Sequence, residues 1–140
     1  MSNNDQSMKS VSNTAFIFPG QGSQKVGMGR DLIDFPVSAN VFKRVDDALG
    51  RKLSDIIFNG PDDELMLTRN AQPAIMTVSI ACYEALKEKS GDLFPVPQYV
   101  AGHSLGEYTS LYVSGALDLE ETAKLVSLRG ELMQDACDQN

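Results

Sequence analysis

Ser104 lies in Tyr99-Val-Ala-Gly-His-Ser-Leu-Gly-Glu-Tyr108, the stretch of this chain with the most chemical content. It reads as a strand entering a G-x-S-x-G turn that opens a helix, an arrangement that lifts a serine hydroxyl clear of the backbone as a nucleophile. Gly102 and Gly106 have no Cβ, so strand and helix can approach closely while the serine occupies a strained turn. The hydroxyl then needs a base to take its proton and donors to hold the oxyanion formed at an attacked carbonyl. One donor in this geometry is the backbone N–H of the following residue, Leu105. A second comes from a loop after an earlier strand, and Pro19-Gly-Gln-Gly-Ser-Gln24 would bring the N–H of Gln21 toward the same carbonyl. That glycine-rich run also fits a phosphate-cradling loop or a plain structural turn.

Arg129 is the second informative residue. On a helix its neighbours three and four positions away are Leu125, Val126, Leu132 and Met133, all apolar, which predicts a guanidinium pointing into the protein. A charge there is costly unless paired, and a guanidinium pairs best with a carboxylate gripped by two parallel hydrogen bonds. Spacing alone leaves three readings open: a structural ion pair, a snorkelling side chain, or a clamp on a substrate carboxylate. His103 is the only histidine in the chain. Its side chain should point away from that of its neighbour Ser104, so it is expected to line the pocket or to bond nearby backbone rather than to act as base.

The elements that must hold these residues are readable from periodicity and punctuation. Thr14-Ala-Phe-Ile-Phe18 predicts a buried strand ending at Pro19-Gly20, and Phe94 to Ala101 predicts the strand that feeds the serine turn. Pro36 is expected to open a helix with Val41, Phe42, Val45 and Leu49 on one face and Gly50 as a left-handed cap. Short helical turns follow, with Ser54 and Asp62 as candidate caps. A longer helix has Pro73 in its first turn, a face of Met76, Ile80, Tyr83 and Leu86, and Gly91 at its end. After the serine turn, Leu105, Tyr108, Leu111 and Tyr112 recur at helical spacing up to Gly115. Asp118 with Glu121 forms a capping-box pattern ahead of a last helix from Leu119 to about Ala136. Two strands separated by helices predict an α/β fold with a parallel, hydrolase-like sheet, helices on both faces and a nucleophile elbow. Two strands are too few for such a sheet, which is therefore expected to be incomplete in this chain.

Composition narrows the function classes. The chain has 140 residues, 42% of them hydrophobic, and a net charge of −7 with no lysine-arginine cluster, which argues against nucleic acid. No run is long enough to span a bilayer, and residues 1–13 carry neither a secretory signal nor a transit peptide, so a flexible N-terminal tail and a cytoplasmic location are expected. Cys82 and Cys137 are far apart and read as free thiols in a reducing compartment. With one histidine and no ligand spacing, neither a metal site nor a bound cofactor is indicated.

Four segments carry a family resemblance: Phe16-Ile-Phe-Pro-Gly-Gln-Gly-Ser-Gln24 with Gly27-Met28, Thr68 to Ala74 with Gln72-Pro73, Gly102-His-Ser-Leu-Gly-Glu107, and Leu128-Arg-Gly-Glu-Leu-Met-Gln134. In this order, from about Thr14 to the C-terminus, they resemble the N-terminal part of the malonyl-CoA:acyl-carrier-protein transacylases. The resemblance implies that Ser104 takes malonyl from coenzyme A as an ester and passes it to the phosphopantetheine thiol of acyl carrier protein in fatty acid biosynthesis. It places Gln21 and Leu105 in the oxyanion hole and Arg129 on the malonyl carboxylate. Malonyl-CoA is then a substrate rather than a cofactor. Residues 14–140 would be the N-terminal part of the large subdomain, without the ferredoxin-like subdomain and the C-terminal part that carries the catalytic histidine in the family. These residues alone are accordingly expected to be inactive. Two readings from other classes share some of the same residues: a serine hydrolase such as a thioesterase, and a non-catalytic truncated remnant.

Overall fold

The computed structural model describes residues 12–139. In chain order these form β1 (Ser12–Phe18), α1 (Pro36–Leu49), α2 (Leu53–Asn59), α3 (Asp62–Met66), α4 (Thr68–Ser90), β2 (Pro97–Gly102), α5 (Gly106–Val113) and α6 (Leu119–Asp138). Short 3₁₀ turns lie at Arg30–Asp34 and Gly91–Leu93. The strands pair in parallel, with Phe18 beside Gly102, so both chains leave the sheet at the same end. This is the α/β arrangement that the alternation of elements predicts. Of the expected tail, residues 1–11 lie outside the described residues, while Ser12 and Asn13 belong to β1.

Helix boundaries set by local chemistry fall where the sequence puts them. Pro36 opens α1, Val41, Phe42 and Val45 are buried, and Gly50 caps it at φ 64° with its N–H on the carbonyls of Asp46 and Asp47. At the start of α6 the Asp118 carboxylate accepts the Glu121 N–H at 2.7 Å, and Glu121 accepts the Asp118 N–H at 3.0 Å. Both halves of the capping box are therefore made.

Boundaries set by distant partners differ from expectation. The long helix α4 begins at Thr68 and carries Pro73 in its interior instead of in its first turn. Its start is capped from another helix: the Thr68 N–H donates to Gln134 Oε1 at 2.8 Å. The carbonyl of Arg69, which a proline four residues on cannot serve, accepts Arg51 Nη2 at 3.2 Å. Ser54 and Asp62 do not cap either. Ser54 lies inside α2, where its N–H and hydroxyl both donate to the buried Asp46, at 3.0 and 2.6 Å. Asp62 is the first residue of α3, and its cap position is Pro61. On α4, Met76 and Ile80 are fully buried as expected but Leu86 is 47% exposed, and Ala81 and Ala85 take over the buried face.

The hydrophobic core sits among the helices, where Val45, Ile57, Met76, Ile80 and Val126 are buried together with Leu105 from the elbow. Tyr112 of α5 donates to Glu84 of α4 at 2.9 Å, and burial followed by that carboxylate pushes the phenol well above its ordinary pKa. On β1, Phe18 is buried but Ile17 is 77% exposed, so the strand alternates instead of being buried throughout. Ala15, Ile17, Tyr99 and Ala101 share an exposed face, while Phe16 on the opposite side packs edge-on against Tyr83 of α4.

One close approach between helices positions Arg129. A Cβ on Gly130 of α6 would lie 2.9 Å from the Thr68 carbonyl oxygen and 3.1 Å from the Arg69 Cα. The missing side chain lets α6 meet the N-terminal turn of α4 backbone to backbone. Alanine in place of a helical glycine ordinarily gains about 1 kcal/mol. Here overpacking against rigid backbone, worth about 1–3 kcal/mol, is expected to outweigh that gain. Gly130→Ala should thus lower the urea midpoint of unfolding, and a raised midpoint would show that the helices yield.

Candidate active site

The register of the two strands brings the loop after β1 and the turn after β2 to one place. Ser104 sits in that turn at φ 56°, the only non-glycine residue with positive φ among the described residues. A left-handed backbone costs an ordinary side chain free energy and persists only where the surroundings dictate it. Those surroundings are glycines. A Cβ on Gly102 would fall 1.9 Å from the Gly106 carbonyl carbon, and one on Gly106 would fall 2.5 Å from the Phe18 carbonyl oxygen. The strand, the turn and α5 are thus packed backbone on backbone, as the elbow reading requires.

Gly20 makes the third such approach, since its Cβ would meet His103 Nδ1 at 2.4 Å and the His103 carbonyl oxygen at 2.9 Å. The His103 N–H donates to the Phe18 carbonyl at 3.1 Å, and the exposed imidazole lies over the Pro19-Gly20 loop. Among the described residues it makes no hydrogen bond to Ser104. Leu105 carries a fully buried side chain. Neither its backbone N–H nor that of Gln21 meets an acceptor among the described residues, which leaves both free to serve an incoming oxygen.

Arg129 reaches this turn from α6. Its Nη2 donates to Ser104 Oγ at 2.9 Å and its Nη1 to Gln72 Oε1 at 2.5 Å, while the guanidinium carbon stands 5.9 Å from the centre of the Tyr108 ring. No carboxylate pairs with it among the described residues; the ion pairs found there are Lys43–Asp47, Arg44–Glu120 and Lys52–Asp46. The expected apolar burial around Arg129 is only partly met. Val126 is buried, but Leu125, Leu132 and Met133 are 43%, 60% and 42% exposed. With Tyr108 and Leu128 they line an open groove of about 490 Å³ that has Arg129 on its wall. The arginine is half-buried, with its charge directed at the serine.

Sequence reasoning does not single out Gln72 as a site residue, although it is 1% exposed and lies between Gln21 and Arg129. It enters the sequence reading only through the Gln72-Pro73 pair of the family resemblance, with no role attached, and as a polar residue before a run that continues Ala74-Ile75-Met76. Tyr108, beneath the guanidinium, stands out in the sequence only as part of a helical stripe.

Residues 15–139 match the family model of the acyl transferase domain. The chain belongs to that family. It is 46% identical over 90% of its length to the malonyl CoA-acyl carrier protein transacylase of Bacillus subtilis, and 48% identical over 87% to that of Haemophilus influenzae. Among solved structures, the acyl-carrier-protein S-malonyltransferase of Bartonella henselae is 50% identical over 88% of the chain, with a TM-score of 0.83. A malonyl-transacylase in complex with its type II PKS acyl-carrier protein is 44% identical over 89%, with a TM-score of 0.82. In each case the acyl transferase segment spans about two fifths of its relative, 39% or 40%. Its sheet is accordingly that of part of an α/β acyltransferase fold.

Since His103 supplies the only imidazole signals of the chain, the packing of loop on turn can be read directly. Gly20→Ala is expected to displace the ring and move its NMR resonances while the rest of the spectrum stays folded. Unmoved ring signals in a folded variant would show that loop and turn are not in contact.

Proposed function

We propose that this segment supplies the nucleophile, the oxyanion donors and the carboxylate clamp of an acyltransferase that moves malonyl from coenzyme A to the thiol of acyl carrier protein. The observation that carries the reading is the guanidinium of Arg129, paired with no acid among the described residues, donating to Ser104 Oγ. A hydrolase needs the elbow but has no use for a half-buried positive charge beside it. A transferase for an acyl group that ends in a carboxylate needs both.

In the first half-reaction, Ser104 Oγ attacks the thioester carbonyl and gives up its proton to a general base. The carbonyl oxygen, negative in the tetrahedral state, accepts the N–H groups of Gln21 and Leu105. When the C–S bond breaks, the base returns the proton to the sulfur of coenzyme A and the malonyl ester remains on Ser104. The second half-reaction reverses these steps with the carrier thiol as nucleophile. Arg129 would exchange its bond to Ser104 for the malonyl carboxylate and so fix the distance from carboxylate to carbonyl. His103 lines the entrance beside the Gly20 loop, and the base comes from the part of the family fold beyond the matched two fifths. The activities of the relatives and the carrier-protein complex support malonyl-CoA and acyl carrier protein as partners. Two exposed free cysteines fit a reducing compartment such as the cytoplasm, and a role in fatty acid biosynthesis rests on the likeness to the transacylases. Among the described residues no helix is long and apolar enough to cross a membrane.

In a complete acyltransferase carrying these residues, Ser104→Ala should abolish the malonyl mass adduct and lower turnover by about a millionfold. Arg129→Ala should reduce the preference for malonyl-CoA over acetyl-CoA about a hundredfold, measured as the ratio of kcat/KM values. An unchanged ratio would favour the thioesterase reading.

A further inference from the structure

We propose that Gln72 is a positioning residue for Arg129, and that its uncharged amide is what keeps the arginine's charge available to a substrate carboxylate. The inference rests on the reading of Arg129 as the clamp. Gln72 is fully buried and each end of its amide is engaged: Oε1 accepts Arg129 Nη1, while Nε2 donates to Gln21 Oε1 at 3.4 Å and to Met133 Sδ at 3.3 Å. Gln21 Nε2 in turn donates to Thr68 Oγ1 at 3.2 Å. The donors all run one way, from the guanidinium through Gln72 and Gln21 to Thr68. Turning the Gln72 amide would set an N–H against a cation, so the charge fixes the polarity of the chain, and each bond polarises the next.

Residue type has two consequences here. Arg129 is held by neutral acceptors, Gln72 Oε1 and Ser104 Oγ, with no acid among the described residues to cancel its charge. A glutamate of the same size at position 72 would make at least as good a hydrogen bond but would neutralise the guanidinium and repel a second carboxylate. Gln72 also ties Arg129 to Gln21, so the group that would grip the carboxylate and the loop that would receive the oxyanion are set by one connected unit. Gly130 makes this possible by letting α6 close on the first turn of α4, which places position 129 opposite position 72.

A purely structural role and a positioning role predict opposite results for Gln72→Glu. If Gln72 only fills space, the near-isosteric, salt-bridged variant retains its preference for malonyl over acetyl. On the present inference, a complete acyltransferase with Gln72→Glu remains folded but loses at least about tenfold in that preference. Gln72→Met, which keeps the volume and removes the acceptor, should lower the same ratio and serves if the glutamate variant does not fold. A folded variant of either kind whose ratio stays within about twofold of wild type, while Arg129→Ala loses it, overturns the inference alone. Retention of the ratio in Arg129→Ala itself overturns the clamp reading and this inference with it.

Discussion

Everything at this site depends on backbone meeting backbone where side chains are missing. Gly102 faces Gly106, Gly106 faces the Phe18 carbonyl, and Gly20 faces His103, all at distances no Cβ permits. Once these three approaches are made, the Ser104 backbone has nowhere to go but the left-handed region, and its side chain must stand out at the carboxyl end of the parallel strands. The strain is repaid by neighbours that are themselves well packed, chiefly the fully buried Leu105. Gly130 extends the same device to the helices, bringing the arginine of α6 to the serine turn.

The polar side of the site obeys a complementary constraint. Buried polar groups must be satisfied, and Gln72 and Asn70 are satisfied here without an acid among the described residues bonding either of the cations they hold. Gln72 is bonded at both ends, and Asn70 accepts Arg51 Nη1 at 2.6 Å while donating to the Glu64 carbonyl at 2.8 Å. The N-terminal turns of α4 therefore serve as a hydrogen-bonding platform on which Arg51 and Arg129 rest through amides instead of acids. An amide fixes direction and leaves the charge in place, which suits a residue proposed to receive an anion.

What can be read in the sequence divides along the range of the interactions involved. The elbow, the Gly50 cap and the Asp118–Glu121 box are determined within a few residues, and all three stand as expected. Local reasoning misplaces Ser54 and Pro73 because their surroundings are distant in sequence: Asp46 takes up Ser54, while Gln134 and Arg51 stabilise an α4 that starts before its proline. The apolar neighbours of Arg129 locate it in the sequence, yet those neighbours prove to be largely exposed, and its actual partners come from α4 and the serine turn. Gln72 is invisible at that level because nothing within its own segment requires a glutamine; the requirement is set by Arg129, 57 residues away.

The division of burial within the molecule bears on how independent the site geometry is. The core lies among α1, α4 and α6, whereas the sheet face with Ile17 and Tyr99 and the α6 surface with Leu128 and Leu132 are open. The partners that fix Ser104 and Arg129 lie mainly on the closed side, with Leu105 in the core and Gln72 fully buried, while Tyr108 reaches Arg129, and Met133 reaches Gln72, from the wall of the open groove. The serine–arginine geometry is thus a property of elements contained within this segment. Apolar surface of the exposed kind can be covered, or left bare, without breaking any of the bonds that define it. By contrast, His103 does not reach the hydroxyl, so proton transfer has no equivalent anchor among the described residues. On the proposed reading, the segment builds the part of an acyl-transfer site that holds and orients, and the part that moves the proton approaches from the open side, where the groove beside Arg129 lies.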